Sequence, residues 1–154
     1  MALITLGANS GKGKVLQVVR TYVANQQSAV STTSTSLVGS GIQASITPTK
    51  SGNLILIDFN STMSNNSSNI GRARMYQKIG SGSFAQMSGA AVYHIGYMSS
   101  GWNRYAPHCF GGSYTATSTD TLIYEPYIEA PSGGTYQFVH ANASYSLTVT
   151  EVEQ

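Results

Sequence analysis

The chain has 154 residues, enough for one domain of ordinary size but too few for two domains with separate hydrophobic cores. Only 9% of the residues are charged, whereas 41% are hydrophobic, and the formal net charge is +2. This composition excludes a charged disordered tail and disfavours a long exposed helix. The 8 basic groups are spread too thinly for a nucleic-acid-binding surface. Ten Tyr residues, together with many Thr, Val and Ile residues, favour β-strands.

The first residues carry no targeting or membrane signal. Met-Ala-Leu-Ile-Thr-Leu-Gly lacks a basic leading region, and its apolar run is short. No apolar stretch approaches the roughly 18 residues that span a bilayer. We therefore expect assembly in a cytoplasm and no membrane insertion. Residues 1–13, rich in Gly, Asn and Ser after this start, are predicted to form an arm that precedes a domain over 14–154.

From Lys14 onward, short runs typical of strands alternate with turn residues. The predicted strands, in chain order, are Val15–Val23, Val30–Val38, Ile42–Ile46, Leu54–Phe59, Ile70–Ile79, Tyr114–Thr119, Leu122–Glu129, Thr135–Ala141 and Tyr145–Val149. Turn signals that contain Gly follow several of these runs, at 39–41, 50–53, 80–82 and 131–134. This spacing predicts an all-β protein, an antiparallel two-sheet sandwich of the jelly-roll type with 8–10 strands.

The stretch Ser88–Gly112 is the longest one without clear alternation, and it is rich in aromatic residues. Tyr and Trp offer rigid amphipathic surface, and Asn and Arg can bind hydroxyl groups. We therefore predict a binding loop with five contact residues, namely Tyr97, Trp102, Asn103, Arg104 and Tyr105. The alternative is that its large aromatic residues fill the core or a subunit interface.

Period-two spacing places Arg72, Arg74 and Lys78 on one face of the predicted strand Ile70–Ile79. This row could bind the anionic groups of an acidic polysaccharide, or it could pair with acidic side chains of a neighbouring subunit. A solvated outer face is the third interpretation.

Neither a metal site nor catalysis is predicted, and no cofactor is expected. His94, His108 and Cys109 do not have the spacing of a compact zinc site, and we expect His108 and Cys109 to be packed among apolar neighbours. Glycosidases need two carboxylates about 5–10 Å apart, whereas Glu125 and Glu129 would lie about 13 Å apart along a strand. No Gly-x-Ser-x-Gly motif occurs.

Several segments resemble one known family. They are Gly-Lys-Val-Leu-Gln-Val-Val at 13–19, the Ser/Thr run at 31–38, Gly-Ile-Gln-Ala-Ser-Ile-Thr-Pro-Thr at 41–49, the apolar run at 54–57, Ser-Gly-Gly-Thr at 132–135 and Ser-Leu-Thr-Val-Thr-Glu-Val at 146–152. In this order they are similar to tail-fibre and receptor-binding domains of tailed bacteriophages, notably phages of aquatic bacteria. The similarity covers about residues 13–60 and 120–152.

The resemblance implies a jelly-roll domain that forms a homotrimer on the virion tail. Its start is similar to the leaders of such proteins, which predicts a complete small fibre. Leu3, Ile4 and Leu6 of the arm would then dock on another tail or baseplate protein. The binding loop would contact a glycan or protein on the host surface, without catalysis. The alternative is a structural decoration of the head, neck or baseplate that binds no receptor.

Overall fold

The computed structural model describes residues 13–65, 70–88, 93–97 and 104–154. Within these ranges every regular element is a β-strand. The strands are β1 (Val15–Val23), β2 (Val30–Thr32), β3 (Val38–Gly39), β4 (Ala44–Ile46), β5 (Leu54–Asn65), β6 (Ile70–Ile79), β7 (Ala85–Gln86), β8 (Tyr93–Tyr97), β9 (Arg104–Thr115), β10 (Leu122–Glu129), β11 (Tyr136–Val139) and β12 (Tyr145–Val152).

The strands form two antiparallel sheets, which we call sheet A and sheet B. In sheet A, neighbouring strands follow the order β1-β12-β5-β9. At the Asn65 end of β5, β11 pairs with β5, and β2 pairs with β11. Sheet B is built around β10 and β6, with β3 and β4 on one side and β7 and β8 on the other. The chain passes between the sheets six times, from β2 to β3, β4 to β5, β5 to β6, β8 to β9, β9 to β10 and β10 to β11. This is the jelly-roll order, and it confirms the predicted fold class.

Most predicted strands are confirmed, and three of them, Val15–Val23, Ile70–Ile79 and Leu122–Glu129, have the predicted bounds. The predicted strand Val30–Val38 is wrong in its middle, where the chain leaves the sheet after Thr32. There the amide of Ser34 donates to Thr32 Oγ1 at 3.0 Å, and the amide of Ser36 donates to Ser34 Oγ at 3.1 Å. Such local side-chain acceptors compete with strand pairing. This interruption helps to bring the number of strands in the described ranges to twelve, above the predicted 8–10.

The stretch Ser88–Gly112 contains more regular structure than its sequence indicates, because β8 and most of β9 lie in it. All of β9 pairs with β5, from Asn65 opposite Arg104 to Leu54 opposite Thr115. Small residues hide the alternation of β9 in the sequence, but Phe110 is buried and the preceding Cys109 is exposed. The expected packing of Cys109 among apolar neighbours is therefore wrong, because strand alternation turns it outward when Phe110 faces the core.

Aromatic rings fill the space between the sheets. Phe59 stacks on Phe138 with centroids 4.7 Å apart, and Phe110 lies 5.5 Å from Phe59. Tyr136 is 1% exposed and packs against β6, where a Cβ on Gly71 would come within 2.1 Å of its ring. Gly71 is therefore required by this close approach and not by its backbone conformation. Burial raises the pKa of the Tyr136 hydroxyl.

One carboxylate lies inside the fold at the sheet A end that holds the termini. Glu151 is fully buried, and its two carboxylate oxygens accept four hydrogen bonds of 2.6–2.9 Å from Gln17, Asn53 and Thr49. Burial by itself raises the pKa of a carboxyl group. Here the hydrogen bonds outweigh burial, so the pKa of Glu151 lies below its usual value. Glu151 thus links β1, the segment before β5 and β12.

Candidate functional site

The backbone register brings three of the predicted contact residues to one end of the sandwich. Tyr97, the last residue of β8, lies opposite Ile70 in sheet B. Arg104 and Tyr105, the first residues of β9, lie opposite Asn65 and Ser64 in sheet A. The connection between Tyr97 and Arg104 therefore joins the two sheets at this end, which we call the Arg104 end. Trp102 and Asn103 belong to this connection and lie outside the described residues.

Both termini of the described chain lie at the other end of sheet A. The amide of Gly13 donates to the carbonyl of Glu153 at 2.7 Å, and Val152 lies opposite both Val15 and Leu54. Along β5, Leu54 and Asn65 are eleven residues apart, which corresponds to about 35 Å of strand. The arm residues Leu3, Ile4 and Leu6 lie outside the described residues, but the chain enters the domain opposite the Arg104 end.

The predicted basic row lies on the outer face of sheet B, where Arg72, Arg74 and Lys78 alternate along β6 with buried residues. Arg72 Nη1 lies 3.4 Å from Glu129 Oε1, and Arg74 Nη1 donates to Gln86 Oε1 at 2.7 Å. Each of these guanidinium groups therefore contacts a side chain of its own chain. Within the described ranges, Glu129 partly compensates the positive charge that would attract an anion.

Aromatic side chains lie on the same face of sheet B. Tyr76 of β6 and Tyr127 of β10 stack with centroids 3.9 Å apart at an interplanar angle of 17°. Phe84 tilts against Tyr127 at 5.8 Å. Burial, reinforced by the charge of Glu125, raises the pKa of Tyr127. Phe84 lies just beyond the Gly80–Gly82 turn, and only the tertiary structure brings it to the tyrosine pair.

A pocket of about 240 Å³ opens beside β9, between Tyr114 and the segment 77–88, and we call it the Tyr114 pocket. The residues that line it include Gln77, Gln86, Ser83 and Ser88. Tyr114 lies opposite Ile55, near the terminal end of sheet A. Nine residues of β9 separate it from Tyr105, which corresponds to about 30 Å. Sequence reasoning missed this pocket, because its residues come from separate strands and carry no motif.

The carboxylates of β10 are engaged in structural contacts. Glu125 is 5% exposed, and it accepts hydrogen bonds from the amide of Gly41 at 2.8 Å and from the Gln43 side chain at 2.6 Å. These bonds hold the segment between β3 and β4 against sheet B. In the described part of the chain, no group of three or more His, Cys, Asp or Glu side chains could hold a metal ion.

The outer face of sheet A exposes apolar side chains. Val18 and Tyr22 of β1 are 57% and 53% exposed, and Leu56 of β5 is 37% exposed. The Arg20 guanidinium lies 4.7 Å above the Tyr22 ring. No helix in the described ranges is long and apolar enough to cross a membrane.

No family model and no curated protein sequence matches the chain. Solved structures with a similar fold include the globular domain of zebrafish complement 1qA protein, at 12% identity and a TM-score of 0.44, covering 92% of this chain and 96% of that one. The VP2 subviral particle of infectious bursal disease virus has 16% identity and a TM-score of 0.47, with 97% of this chain and 37% of that one covered. The CBM22-1 xylan-binding domain of Paenibacillus barcinonensis Xyn10C has 11% identity and a TM-score of 0.42, with 94% of this chain and 98% of that one covered. At these identities, the similarity to the three solved structures is one of fold alone.

Proposed function

We propose that the chain is a tail-fibre protein of a tailed bacteriophage that binds a receptor on the host surface, a glycan in the first instance, without catalysis. One observation carries the proposal: the chain enters the domain at one end of sheet A, whereas Arg104 and Tyr105 lie about 35 Å away along β5 at the other. An arm at the first end would hold the virion, and the Arg104 end would then face the host cell.

The residue types of the predicted contact set suit a glycan. Tyr97, Trp102 and Tyr105 offer aromatic faces for the C–H groups of a sugar ring, and Asn103 and Arg104 offer donors for its hydroxyls. Each domain would bind weakly, and several copies on one particle would strengthen attachment by avidity.

The direct test is the binding of fluorescently labelled protein to intact cells of candidate hosts, before and after periodate oxidation of their surface sugars. We expect saturable binding that oxidation abolishes and that both Trp102→Ala and Arg104→Gln weaken. Lys50→Gln is the matched control, because Lys50 is an exposed cation beside the terminal end. Binding that survives oxidation would indicate a protein receptor. Equal losses in Arg104→Gln and Lys50→Gln would refute the assignment of the Arg104 end.

Homotrimerisation is part of the proposal, and the exposed apolar face of sheet A supports it. Several exposed apolar side chains on one face of a weakly charged protein favour a subunit contact there. We expect Val18→Glu to shift the mass measured by light scattering from trimer to monomer, while Lys50→Glu leaves it unchanged. A monomeric wild-type protein would refute this part.

The same face also favours a second candidate, a structural decoration of the head, neck or baseplate. In that case the labelled protein would bind no host cell, and Val18→Glu would abolish its incorporation into particles.

A further inference from the structure

We propose that the Tyr114 pocket binds a single neutral sugar ring. This site goes beyond the receptor contact at the Arg104 end, from which it lies about 30 Å away along β9. The proposal does not depend on the tail-fibre assignment, because it is argued from the pocket alone.

The wall of the pocket offers hydrogen bonds and no charge. All of the side chains that line it are neutral, and Gln77, Gln86, Ser83 and Ser88 are polar. Amides and hydroxyls can both donate and accept, as the hydroxyl groups of a sugar require. An amino acid or a nucleotide would bring formal charges into a pocket without a counter-charge on its wall.

Two of these polar groups are oriented by bonds to their own chain. Gln77 is 8% exposed, and its Nε2 donates to the Tyr124 hydroxyl at 3.1 Å, which leaves Oε1 as an acceptor. Gln86 Oε1 accepts from Arg74 at 2.7 Å, so its Nε2 remains available as a donor. An acceptor and a donor are thus fixed before a ligand arrives, which lowers the entropy lost on binding.

Tyr114 supplies an aromatic surface at the same place. Its hydroxyl lies 2.9 Å from Thr117 Oγ1, and this hydrogen bond restrains the ring. An aromatic face beside amides and hydroxyls fits the two kinds of surface on a pyranose, whose C–H groups are apolar and whose hydroxyls are polar. The volume of about 240 Å³ lies below the range of roughly 300–1,000 Å³ for pockets that hold drug-sized ligands. One ring therefore fits better than an oligosaccharide.

The test is a titration of the isotopically labelled full chain with methyl glycosides of glucose, galactose, mannose and N-acetylglucosamine, followed by NMR. We expect saturable shifts of the Gln77 and Gln86 side-chain amides with at least one glycoside. Ala85→Leu adds volume at the pocket wall without removing a core side chain. We expect it to weaken binding at least tenfold, whereas Ala24→Leu, at an exposed position just after β1 and outside the pocket lining, should not change it.

Three results would overturn the proposal: no shift with any of the four glycosides, shifts confined to residues outside the pocket, or equal binding by the Ala85→Leu variant. Uracil is added as a neutral planar ring that carries no sugar, and preferential binding of uracil would overturn the assignment to sugars. Host-cell binding is measured separately on the Ala85→Leu variant. If the sugar site fails while cells are still bound, only this inference is lost. If cells are not bound while a glycoside shifts Gln77, only the tail-fibre proposal is lost.

Discussion

Replacing the buried carboxylate of Glu151 by an amide, in the variant Glu151→Gln, tests the hydrogen bonds that join β12 to β1 and to the segment before β5. Glu151 Oε1 accepts three hydrogen bonds, from the Thr49 amide, the Thr49 hydroxyl and Asn53, and Oε2 accepts one from Gln17. A glutamine can keep the three bonds to one oxygen, but its NH₂ group would then face the Gln17 donor. If the Gln17 amide rotates to present its oxygen, it loses its 2.7 Å bond to the Thr47 carbonyl.

The expected magnitude follows from the difference between charged and neutral hydrogen bonds. A bond to a charged group contributes about 1.5–3 kcal/mol and a neutral one about 0.5–1.5 kcal/mol, so four bonds lose roughly 4 kcal/mol. Removing the desolvation of the buried charge returns part of this loss. We expect Glu151→Gln to lower the free energy of unfolding by about 2–3 kcal/mol, or the Tm by about 4–12 °C for a domain of this size.

The loss should depend on pH in a definite direction. The folded pKa of Glu151 lies below its unfolded value, so the carboxylate contributes its full stability above the unfolded pKa. This contribution disappears as the pH falls through the folded pKa. The difference between wild type and Glu151→Gln should therefore be largest near pH 7 and shrink below about pH 4.

Chemical denaturation at pH 7 and pH 3, followed by tyrosine fluorescence, measures both quantities. Glu153→Gln is the matched control, because Glu153 is partly exposed and lies just beyond β12. The reasoning would be refuted if both variants lost the same stability, or if the Glu151→Gln loss were equal at the two pH values.

Three further substitutions test the packing of the fold by thermal unfolding. Gly71→Ala should prevent folding or lower the free energy of unfolding by at least about 3 kcal/mol, roughly the cost of a severe core defect. The reason is that its Cβ would meet the Tyr136 ring at 2.1 Å. A stable variant would show that the ring can move. Phe59→Ala should cost about 3–5 kcal/mol, because Phe59 is fully buried in the stacked aromatic core, and a loss below 1 kcal/mol would contradict that packing. Arg72→Gln should cost less than about 1 kcal/mol, because the pair with Glu129 spans 3.4 Å and the Arg72 side chain is 35% exposed; a larger loss would mean that this ion pair stabilises the sheet more than its exposure suggests.

Local patterns were sufficient wherever one face of a strand is apolar and the other polar. The strand Leu122–Glu129 has its predicted bounds because large apolar residues recur at period two, and Ile70–Ile79 has them because Arg72, Arg74 and Lys78 recur at period two before the turn at 80–82. The same reasoning failed for the stretch Ser88–Gly112. Its residues are small and mixed, and those from Arg104 onward form a strand because the whole of β9 pairs with β5.

For the candidate sites too, local spacing predicted some features, whereas others depend on contacts between strands. Sequence placed Arg72, Arg74 and Lys78 on one strand face, because period-two spacing is a local property. It could not find the Glu129 and Gln86 partners of the two arginines, since these come from other strands. It also could not find the Tyr114 pocket, whose walls come from segments about 30 residues apart.

By itself, the sequence determined most of the strands, the all-β class and the low charge of the chain, because these depend on composition and on the two-residue period of a strand. Only the tertiary structure decided which residues meet. The jelly-roll order puts the chain entry at one end of β5 and Arg104 at the other. It also buries Glu151 among four hydrogen-bond donors and brings Gln77, Gln86 and Tyr114 around one pocket. The physical reason is that these contacts join residues far apart in the chain, and strand pairing sets their positions where local preference does not.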